Sequence, residues 1–181
     1  ILGNANVEQI EARGTVIDGH TVGLSTGKQL TTERILVATG GWPFIPEFPG
    51  KEHVISSNEV FDIAPLPERM VIVGGGYIAV EFAGIFNGLG VQTHLVYRGP
   101  KILKNFDSEV GEHVTSELAL HGINLHLNTN VASVEKQGAE LTVNLDNGEA
   151  LTVGQVLYAT GRKPKIEGLG LEEVGLTKTP S

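Results

Sequence analysis

The sequence predicts an α/β fold of three layers (β/β/α), in which a parallel sheet packs against helices and against a β-meander. Two observations lead to this prediction. The stretch 69–103 runs from an apolar strand through three consecutive glycines into an apolar helix and then into a second strand, which is the order of a βαβ unit. Further along the chain, the runs "VASVEKQ", "AELTVNL" and "EALTV" are short and separated by turn residues, which is typical of a meander.

The βαβ unit begins with a strand predicted at residues 70–74 and continues with a helix from about 76 to 89. Glycines at positions 88 and 90 end this helix, and the second strand follows at residues 93–97. The predicted apolar face of the helix consists of side chains at helical spacing, namely Ile78, Phe82, Ile85 and Phe86.

A second helix is predicted in "FDSEVGEHVTSELALHG", with Asp107 or Ser108 as its N-cap and Gly122 as its end. "INLHLN" then forms a third strand, which the right-handed crossover rule makes parallel to the first two. "DNG" at 146–148 predicts a hairpin within the meander, and "QVLYATG" returns as one more core strand. The apolar stripe of the second helix is predicted to be Val110, Val114 and Leu118.

The first forty residues predict short β-strands and close on an apolar strand at Ile35–Val37. Five of the eight prolines lie between residues 43 and 67, which indicates an extended connection. The segments "ILVATGGWP" and "VLYATGRKP" repeat one pattern at 35–43 and 156–164. We interpret this repeat as two similar crossings between modules, with the residues between them forming one inserted unit.

Composition argues against several classes of function. The formal net charge is −8, which disfavours nucleic acid as a partner because phosphate binding needs a basic face. No apolar run approaches the ~20 residues that span a bilayer, so no membrane partner is expected. The chain has no cysteine and so supports no thiol chemistry by itself, and its six histidines show no metal-ligand spacing. Its start at Ile1, without an initiator Met, suggests a fragment of a longer protein.

The glycine loop carries the strongest functional signal. Gly74, Gly76 and Ala79 fit the pattern G-x-G-x-x-A. The first glycine permits the tight turn, the second lets a pyrophosphate approach the backbone, and the small third residue lets helix and strand pack closely. The alternative is a glycine-rich turn that binds nothing. The surrounding strand, helix and second strand favour a Rossmann-like dinucleotide site, with the phosphates at the helix N-terminus.

The end of the second strand favours NADP over NAD. An NAD site places Asp or Glu about 20 residues after the glycines, whereas here Tyr97 occupies that place and Arg98 follows it. Arginine binds phosphate bidentately, and two charge-assisted contacts of ~1.5–3 kcal/mol each would favour NADP by ~100-fold or more. Lys104 is the second candidate contact, and Lys101 is expected to be a solvated surface residue. The alternative for these cations is a solvated loop without a ligand.

The stretches "GGGYIAVEFAGI", "YRGPKILKNFD", "ATGGWPFIPEFPG" and "ISSNEVF" together resemble the glutathione reductases of the flavoprotein pyridine-nucleotide disulfide oxidoreductase family. The resemblance covers essentially the whole chain. It implies an enzyme with the cofactors NADPH and FAD, in which hydride passes from NADPH through FAD to an enzymic disulfide that reduces oxidised glutathione. It also implies a cytoplasmic homodimer that associates through a domain not contained in this chain.

The resemblance divides the chain into four segments. Residues 1–44 correspond to the end of the first FAD-binding segment and 45–68 to a connection. Residues 69–162 correspond to the NADPH-binding domain, and 163–181 return toward the FAD-binding domain. The matched FAD-contacting positions are Gly14, Thr39, Gly40 and Ser57.

The resemblance also assigns NADPH contacts. Tyr77 matches the aromatic side chain that covers the flavin and moves away when NADPH enters. Arg98 and Lys104 match the pair that binds the 2′-phosphate, although the family often has arginine at the second position. The remaining matches are the nicotinamide-side positions Gly75, Ile78 and Glu81 and a further contact at Gly161, with Arg162 beside it.

No catalytic residue is expected within the chain, because the resemblance places the redox cysteines upstream and the proton-relaying histidine downstream. Two alternatives remain beside the glutathione reductase assignment. One is another NAD(P)H flavoprotein on the same scaffold, such as a trypanothione-type reductase, a transhydrogenase or an oxidase. The other is a stand-alone dinucleotide-binding module. Two cysteines in an upstream segment would indicate disulfide reduction.

Overall fold

The computed structural model describes residues 3–176 and divides into two units. The first unit comprises Ile1–Gly41 and Pro164–Ser181, and the second comprises Trp42–Lys163. Residues 1–2 and 177–181 lie outside the described residues, and so does the last part of the predicted return at 163–181.

The first unit contains a three-stranded antiparallel sheet of order β1-β2-β3, formed by β1 (Gly14–Asp18), β2 (Thr21–Leu24) and β3 (Gln29–Thr31). The strand expected at Ile35–Val37 is wrong: these residues join no ladder, and the Leu36 side chain is 89% exposed. A strand needs a hydrogen-bonded neighbour, and no strand within residues 3–176 pairs with this segment.

The second unit carries the predicted βαβ order. Its elements are β4 (Gly41–Pro43, whose first residue belongs to the first unit), β5 (Arg69–Val73), α1 (Tyr77–Gly88), β6 (Gln92–Tyr97), α2 (Ser108–Leu120), β7 (Asn124–Leu127), β8 (Val131–Gln137), β9 (Glu140–Leu145), β10 (Ala150–Val153), β11 (Gln155–Tyr158) and β12 (Arg162–Pro164, whose last residue belongs to the first unit). Strands β11-β5-β6-β7 form a parallel sheet in that order, and β10-β9-β8 form the antiparallel meander. Both sheets confirm the prediction.

The parallel sheet is buried on both faces, which confirms the β/β/α layer order. On one face, Ile72 and Leu95 pack in a cluster with Ala83 and Phe86 of α1. The alternate residues of the same strands pack in a second cluster with meander residues, as Val71 does with Val143. Because side chains alternate across a strand, each strand serves both layers.

The helices differ from prediction at single positions. Ile85 of α1 and Val110 of α2 are 51% and 47% exposed, so neither belongs to the buried stripe expected for it. The buried residue in the first turn of α2 is Gly111. Its backbone packs so closely against the preceding loop that a Cβ would lie 3.1 Å from the Ile102 carbonyl oxygen. The N-cap prediction is confirmed, since the Asp107 carboxylate accepts from the Glu109 N–H at 2.9 Å.

The connection at 45–68 is only partly extended. It contains two short 3₁₀ helices, Lys51–His53 and Val60–Asp62. Between them Ile55 bridges to β11, donating to the Val156 carbonyl at 2.9 Å and accepting from the Tyr158 N–H at 2.8 Å. The connection therefore extends the parallel sheet at its β11 edge.

The two repeated segments meet in space. Strand β4 pairs with β12 in a two-stranded sheet. Just beyond it, the Phe44 N–H donates to the Gly161 carbonyl at 2.9 Å, and the Thr160 hydroxyl donates to the Phe44 carbonyl at 2.7 Å. The repeat recognised in the sequence thus marks two neighbouring passages of the chain.

A histidine pair connects the parallel sheet to the meander. His94 Nδ1 and His126 Nε2 lie 3.0 Å apart, and His126 Nδ1 lies 3.4 Å from a Glu149 carboxylate oxygen. When His126 carries its proton on Nδ1, this N–H points to Glu149. His126 Nε2 then accepts a hydrogen bond from the N–H at Nδ1 of His94. Burial lowers the pKa of His94 below its ordinary value of 6.5, with further contributions from His126 and Arg69.

Acidification should destabilise the protein through His94. Because the folded state lowers the pKa of this imidazole, its contribution is complete above pH 6.5, the ordinary value, and is lost as the pH falls below it. We expect the free energy of unfolding to fall between pH 7 and 5.5, by at most about 1.4 kcal/mol per pH unit for one proton. Thermal unfolding at several pH values should therefore show a lower midpoint temperature at the lower pH. His94→Gln should flatten this slope, whereas His113→Gln, on an exposed position of α2, should leave it unchanged. Equal slopes in the wild type and His94→Gln would contradict the assignment.

Candidate functional site

The turn between β5 and α1 is built around glycines with different tasks. Gly74 has φ +143°, and a Cβ there would lie 2.4 Å from the Ala159 carbonyl oxygen at the end of β11. The Ala79 methyl group lies 3.2 Å from the same Cβ position, so a small residue is needed there as well. A Cβ on Gly76 would meet no protein atom within 4 Å. Gly74 is therefore required by the fold, whereas Gly76 keeps a space open outside it.

The N-terminus of α1 faces this space with an uncompensated positive end. Gly76 is the N-cap and supplies no side-chain cap, and the first turn contains no acidic residue. The first N–H groups of a helix have no intrahelical acceptor, and the helix dipole places partial positive charge there. The turn is thus suited to an anion.

A cavity of about 690 Å³ opens beside the turn, within the second unit. It lies past the carboxyl ends of β5, β6 and β11, and its wall includes Val73, Tyr97 and Tyr158, the last residues of those strands. Ligands of open α/β sheets bind at this edge, and the volume is that of a small-molecule site. The structure brings most of the predicted NADPH contacts to this wall: Gly74, Gly75, Gly76, Tyr77, Ile78, Arg98, Lys104, Gly161 and Arg162.

Two predicted contacts do not line the cavity. Ala79 is fully buried beneath the turn, which agrees with a packing role. Glu81 lies on an exposed position of α1 and is not part of the cavity wall. A nicotinamide contact by Glu81 stays a prediction.

The cavity concentrates positive charge in an acidic chain. Arg98, Lys104 and Arg162 line it, against one carboxylate, Glu47, which forms an ion pair with Lys51. Within residues 3–176, the side chains of Arg98 and Lys104 make no ion pair and no hydrogen bond. Two unneutralised cations beside a helix N-terminus fit a ligand with several negative charges.

Lys101 differs from these cations. Its ammonium group donates to the Ser108 hydroxyl at 2.6 Å and does not line the cavity. The ammonium is directed toward the start of α2, away from the candidate anion site.

Sequence reasoning missed several residues of the wall. Thr129 and Asn130 follow β7 and complete the cavity from the third parallel strand. Their position at a carboxyl strand end was the available signal. Phe48 stacks on Tyr158 with ring centroids 4.9 Å apart, and burial raises the pKa of Tyr158 well above its ordinary value. The contribution of the connection at 45–68 had no local signal, because it depends on how that segment folds back.

The four predicted FAD contacts are distributed over both units. Gly14, Thr39 and Gly40 belong to the first unit, where the Thr39 hydroxyl donates to the Lys165 carbonyl at 2.7 Å. Ser57 belongs to the second unit and is half-buried. None of the four lines the cavity beside the glycine turn. Their flavin contacts stay predictions.

The fold and the cavity define a dinucleotide-binding α/β protein. The family model for pyridine nucleotide-disulphide oxidoreductases matches residues 1–181, and the chain belongs to this family. Members of the family use a flavin together with a nicotinamide cofactor.

The chain is similar in sequence to curated proteins named glutathione reductase. The chain is 44% identical over 174 residues to a glutathione reductase from Burkholderia cepacia, covering 96% of this chain and 38% of that protein. It is 43% identical over 176 residues to a chloroplastic/mitochondrial glutathione reductase from Pisum sativum, covering 97% of this chain and 32% of that protein. The chain therefore spans well under half the length of these relatives.

Solved structures show the same fold. The flavoprotein disulfide reductase RclA from Escherichia coli superposes with a TM-score of 0.86 at 25% identity, over 96% of this chain and 40% of that one. LpdA from Mycobacterium tuberculosis superposes with a TM-score of 0.82 at 28% identity, over 97% of this chain and 41% of that one.

Within residues 3–176, no group of three or more His, Cys, Asp or Glu is arranged to hold a metal ion, and no helix is long and apolar enough to cross a membrane.

Substitution of two neighbouring glycines should separate folding from binding. Gly74→Ala places a side chain on a strained backbone and against the Ala159 carbonyl, so we expect a loss of folding stability of ~1–3 kcal/mol or more. Gly76→Ala meets no protein atom but puts a poorer capping residue at the N-cap of α1, so we expect a smaller loss of folding stability than in Gly74→Ala, together with about tenfold weaker binding of a reduced pyridine dinucleotide. Thermal unfolding and fluorescence titration of the full-length protein measure both effects. A Gly76→Ala variant that binds as the wild type does would contradict an anion site at this turn.

Proposed function

We propose that this chain binds NADPH within an FAD-dependent glutathione-disulfide reductase. The observation that carries the proposal is a pair of cations, Arg98 and Lys104, that line a cavity beside the N-terminus of α1 and have no ion-pair partner among residues 3–176. The glutathione reductase names of the curated relatives support the enzyme class and its disulfide substrate.

The chain's part in binding divides between two anion sites. The pyrophosphate lies in the open space in front of Gly76, where the free N–H groups of α1 donate hydrogen bonds to it. Arg98 and Lys104 donate hydrogen bonds to the additional phosphate on the adenosine ribose, which would carry ~1.5–2 negative charges at neutral pH if it behaves as a phosphomonoester. A cofactor without this phosphate leaves both cations unpaired, and selectivity for NADPH follows from that difference.

The nicotinamide half occupies the part of the cavity lined by Tyr77, Ile78 and Gly161. Tyr77 is the first residue of α1, and its side chain is 56% exposed. An exposed aromatic ring at the cavity wall supports its assignment as a movable cover. In such an enzyme the bound nicotinamide and flavin supply the hydride-transfer chemistry, while these side chains orient the ring and exclude water.

Reduction of a disulfide requires groups that this chain does not contain, since it has no cysteine. The proposed activity therefore belongs to the full-length protein. Reduction of oxidised glutathione, rather than trypanothione disulfide, is the expected outcome in an assay of flavin reoxidation. Turnover with molecular oxygen alone would instead favour an oxidase on the same scaffold.

Removal of a single cation should reveal the phosphate contact. In the full-length protein, Arg98→Ala should lower kcat/KM for NADPH by ~10–100-fold, because one charge-assisted contact is worth ~1.5–3 kcal/mol, and should leave kcat/KM for NADH within about twofold. Lys104→Ala should act in the same direction. Stopped-flow measurement of flavin reduction by both dinucleotides provides the comparison.

Lys101→Ala is the matched control, because it removes an equal charge from the same loop but from a side chain bonded to Ser108. We expect it to retain NADPH selectivity. If Lys101→Ala and Arg98→Ala lower kcat/KM for NADPH equally, the effect comes from the overall positive potential of the loop, and a specific contact by Arg98 is refuted.

A further inference from the structure

Two glycines of the site have no explanation in backbone conformation. Gly75 and Gly99 both lack the positive φ that would demand glycine, yet both lie against the same aromatic ring. A Cβ on Gly75 would lie 2.6 Å from Cγ, Cδ1 and Cε1 of Tyr97, and a Cβ on Gly99 would lie 2.6 Å from Cε1 and 2.9 Å from Cζ of that ring. Such distances exclude any side chain unless the ring moves. The ring of Tyr97 is therefore held between two stretches of backbone.

These two stretches carry the two halves of the anion site. Gly75 lies in the turn that leads into α1, and Gly99 follows Arg98 in the loop that leads to Lys104. A backbone hydrogen bond joins them directly, because the Leu103 N–H donates to the Gly75 carbonyl at 2.6 Å. Leu103 makes this contact with φ +54°, a conformation that is uncommon for a leucine.

The far side of the loop is also held. The Asn128 N–H donates to the Gly99 carbonyl at 3.0 Å, and the Thr129 N–H donates to the Tyr97 carbonyl at 3.1 Å. The loop with both cations is thus connected to the glycine turn on one side and to the segment after β7 on the other. The half-buried ring of Tyr97 contacts both the turn and the loop.

We propose that Tyr97 is a positioning residue for cofactor selectivity: its ring, wedged between Gly75 and Gly99, sets the separation between the pyrophosphate site at α1 and the cations at 98 and 104. This inference rests on the proposed NADPH binding at the same cavity. A rigid spacing lets both anionic groups of one ligand be bound without reorganising the loop. The ring is also uncharged at the strand end where a carboxylate would repel the additional phosphate.

The first test compares Tyr97→Phe with Tyr97→Leu in the full-length protein. Phenylalanine keeps the ring between the two glycines, whereas leucine fills the space next to Gly75 but lacks the distal ring atoms that contact Gly99. We expect Tyr97→Phe to keep the ratio of kcat/KM for NADPH to that for NADH within about twofold. We expect Tyr97→Leu to lower this ratio about tenfold, mainly through a higher KM for NADPH with little change in kcat.

The second test is a double-mutant cycle. Gly99→Ala in the wild type forces a methyl group against the ring, and we expect the selectivity ratio to fall about tenfold. In the Tyr97→Leu background the same substitution should lower the ratio by less than twofold, because the atoms that it would meet are gone. Independent losses that multiply in the double variant would overturn the wedge.

The outcomes separate this inference from the proposed function. A wild-type protein without preference for NADPH would refute the phosphate assignment itself. A wild type that prefers NADPH, together with a Tyr97→Leu variant that keeps the full ratio, would refute the positioning role alone. A fall in thermal stability with an unchanged ratio would have the same meaning, because a purely structural ring does not discriminate between the two dinucleotides. If Tyr97→Leu does not fold, Gly99→Ala alone decides, and retention of the ratio in that variant overturns the inference.

Discussion

The close approach of the glycine turn to the ends of the neighbouring strands is the constraint on which the candidate site depends. Gly74 lies so near the Ala159 carbonyl after β11 that no side chain fits, and Gly75 lies against the ring of Tyr97, the last residue of β6. These contacts place the N-terminus of α1 directly over the carboxyl edge of the parallel sheet. A turn with larger residues would displace the helix, and its free N–H groups would no longer face the cavity.

The position of this turn depends on the closely packed layers beneath it. The meander covers one face of the parallel sheet and the helices cover the other, so residues 70–73 of β5 and Leu95 and Val96 of β6 are buried. Close packing of this kind transmits small displacements instead of absorbing them. The positions of the strand ends, and with them the cavity wall, are therefore set by the core.

Electrostatics then determines which ligand the cavity favours. The chain carries a formal charge of −8, yet Arg98, Lys104 and Arg162 share one concave surface with a single carboxylate that is itself paired. Positive charge in a partly enclosed site acts more strongly than on an open surface, because less solvent screens it. The local field thus attracts an anionic ligand despite the overall charge.

The sequence by itself determined the βαβ order, the meander and the motif residues Gly74, Gly76 and Ala79, because these features depend on neighbours within a few positions. It limited the N-cap of α2 to Asp107 or Ser108, and the structure selects Asp107. Spacing predicted Arg98 as a phosphate contact with Lys104 as a second candidate, and resemblance added Tyr77, Ile78 and Gly161; these contacts stay predictions. Sequence reasoning misjudged Ile35–Val37, Ile85 and Val110, since pairing and burial depend on distant partners. Only the tertiary structure revealed why Gly75 is a glycine, because the Tyr97 ring that excludes its side chain comes from the end of another strand. The same ring lies against Gly99, two residues further along the chain. The tertiary structure likewise showed that Glu81 lies outside the cavity wall and that Thr129 and Asn130 belong to it, since a wall is assembled from segments far apart in the chain.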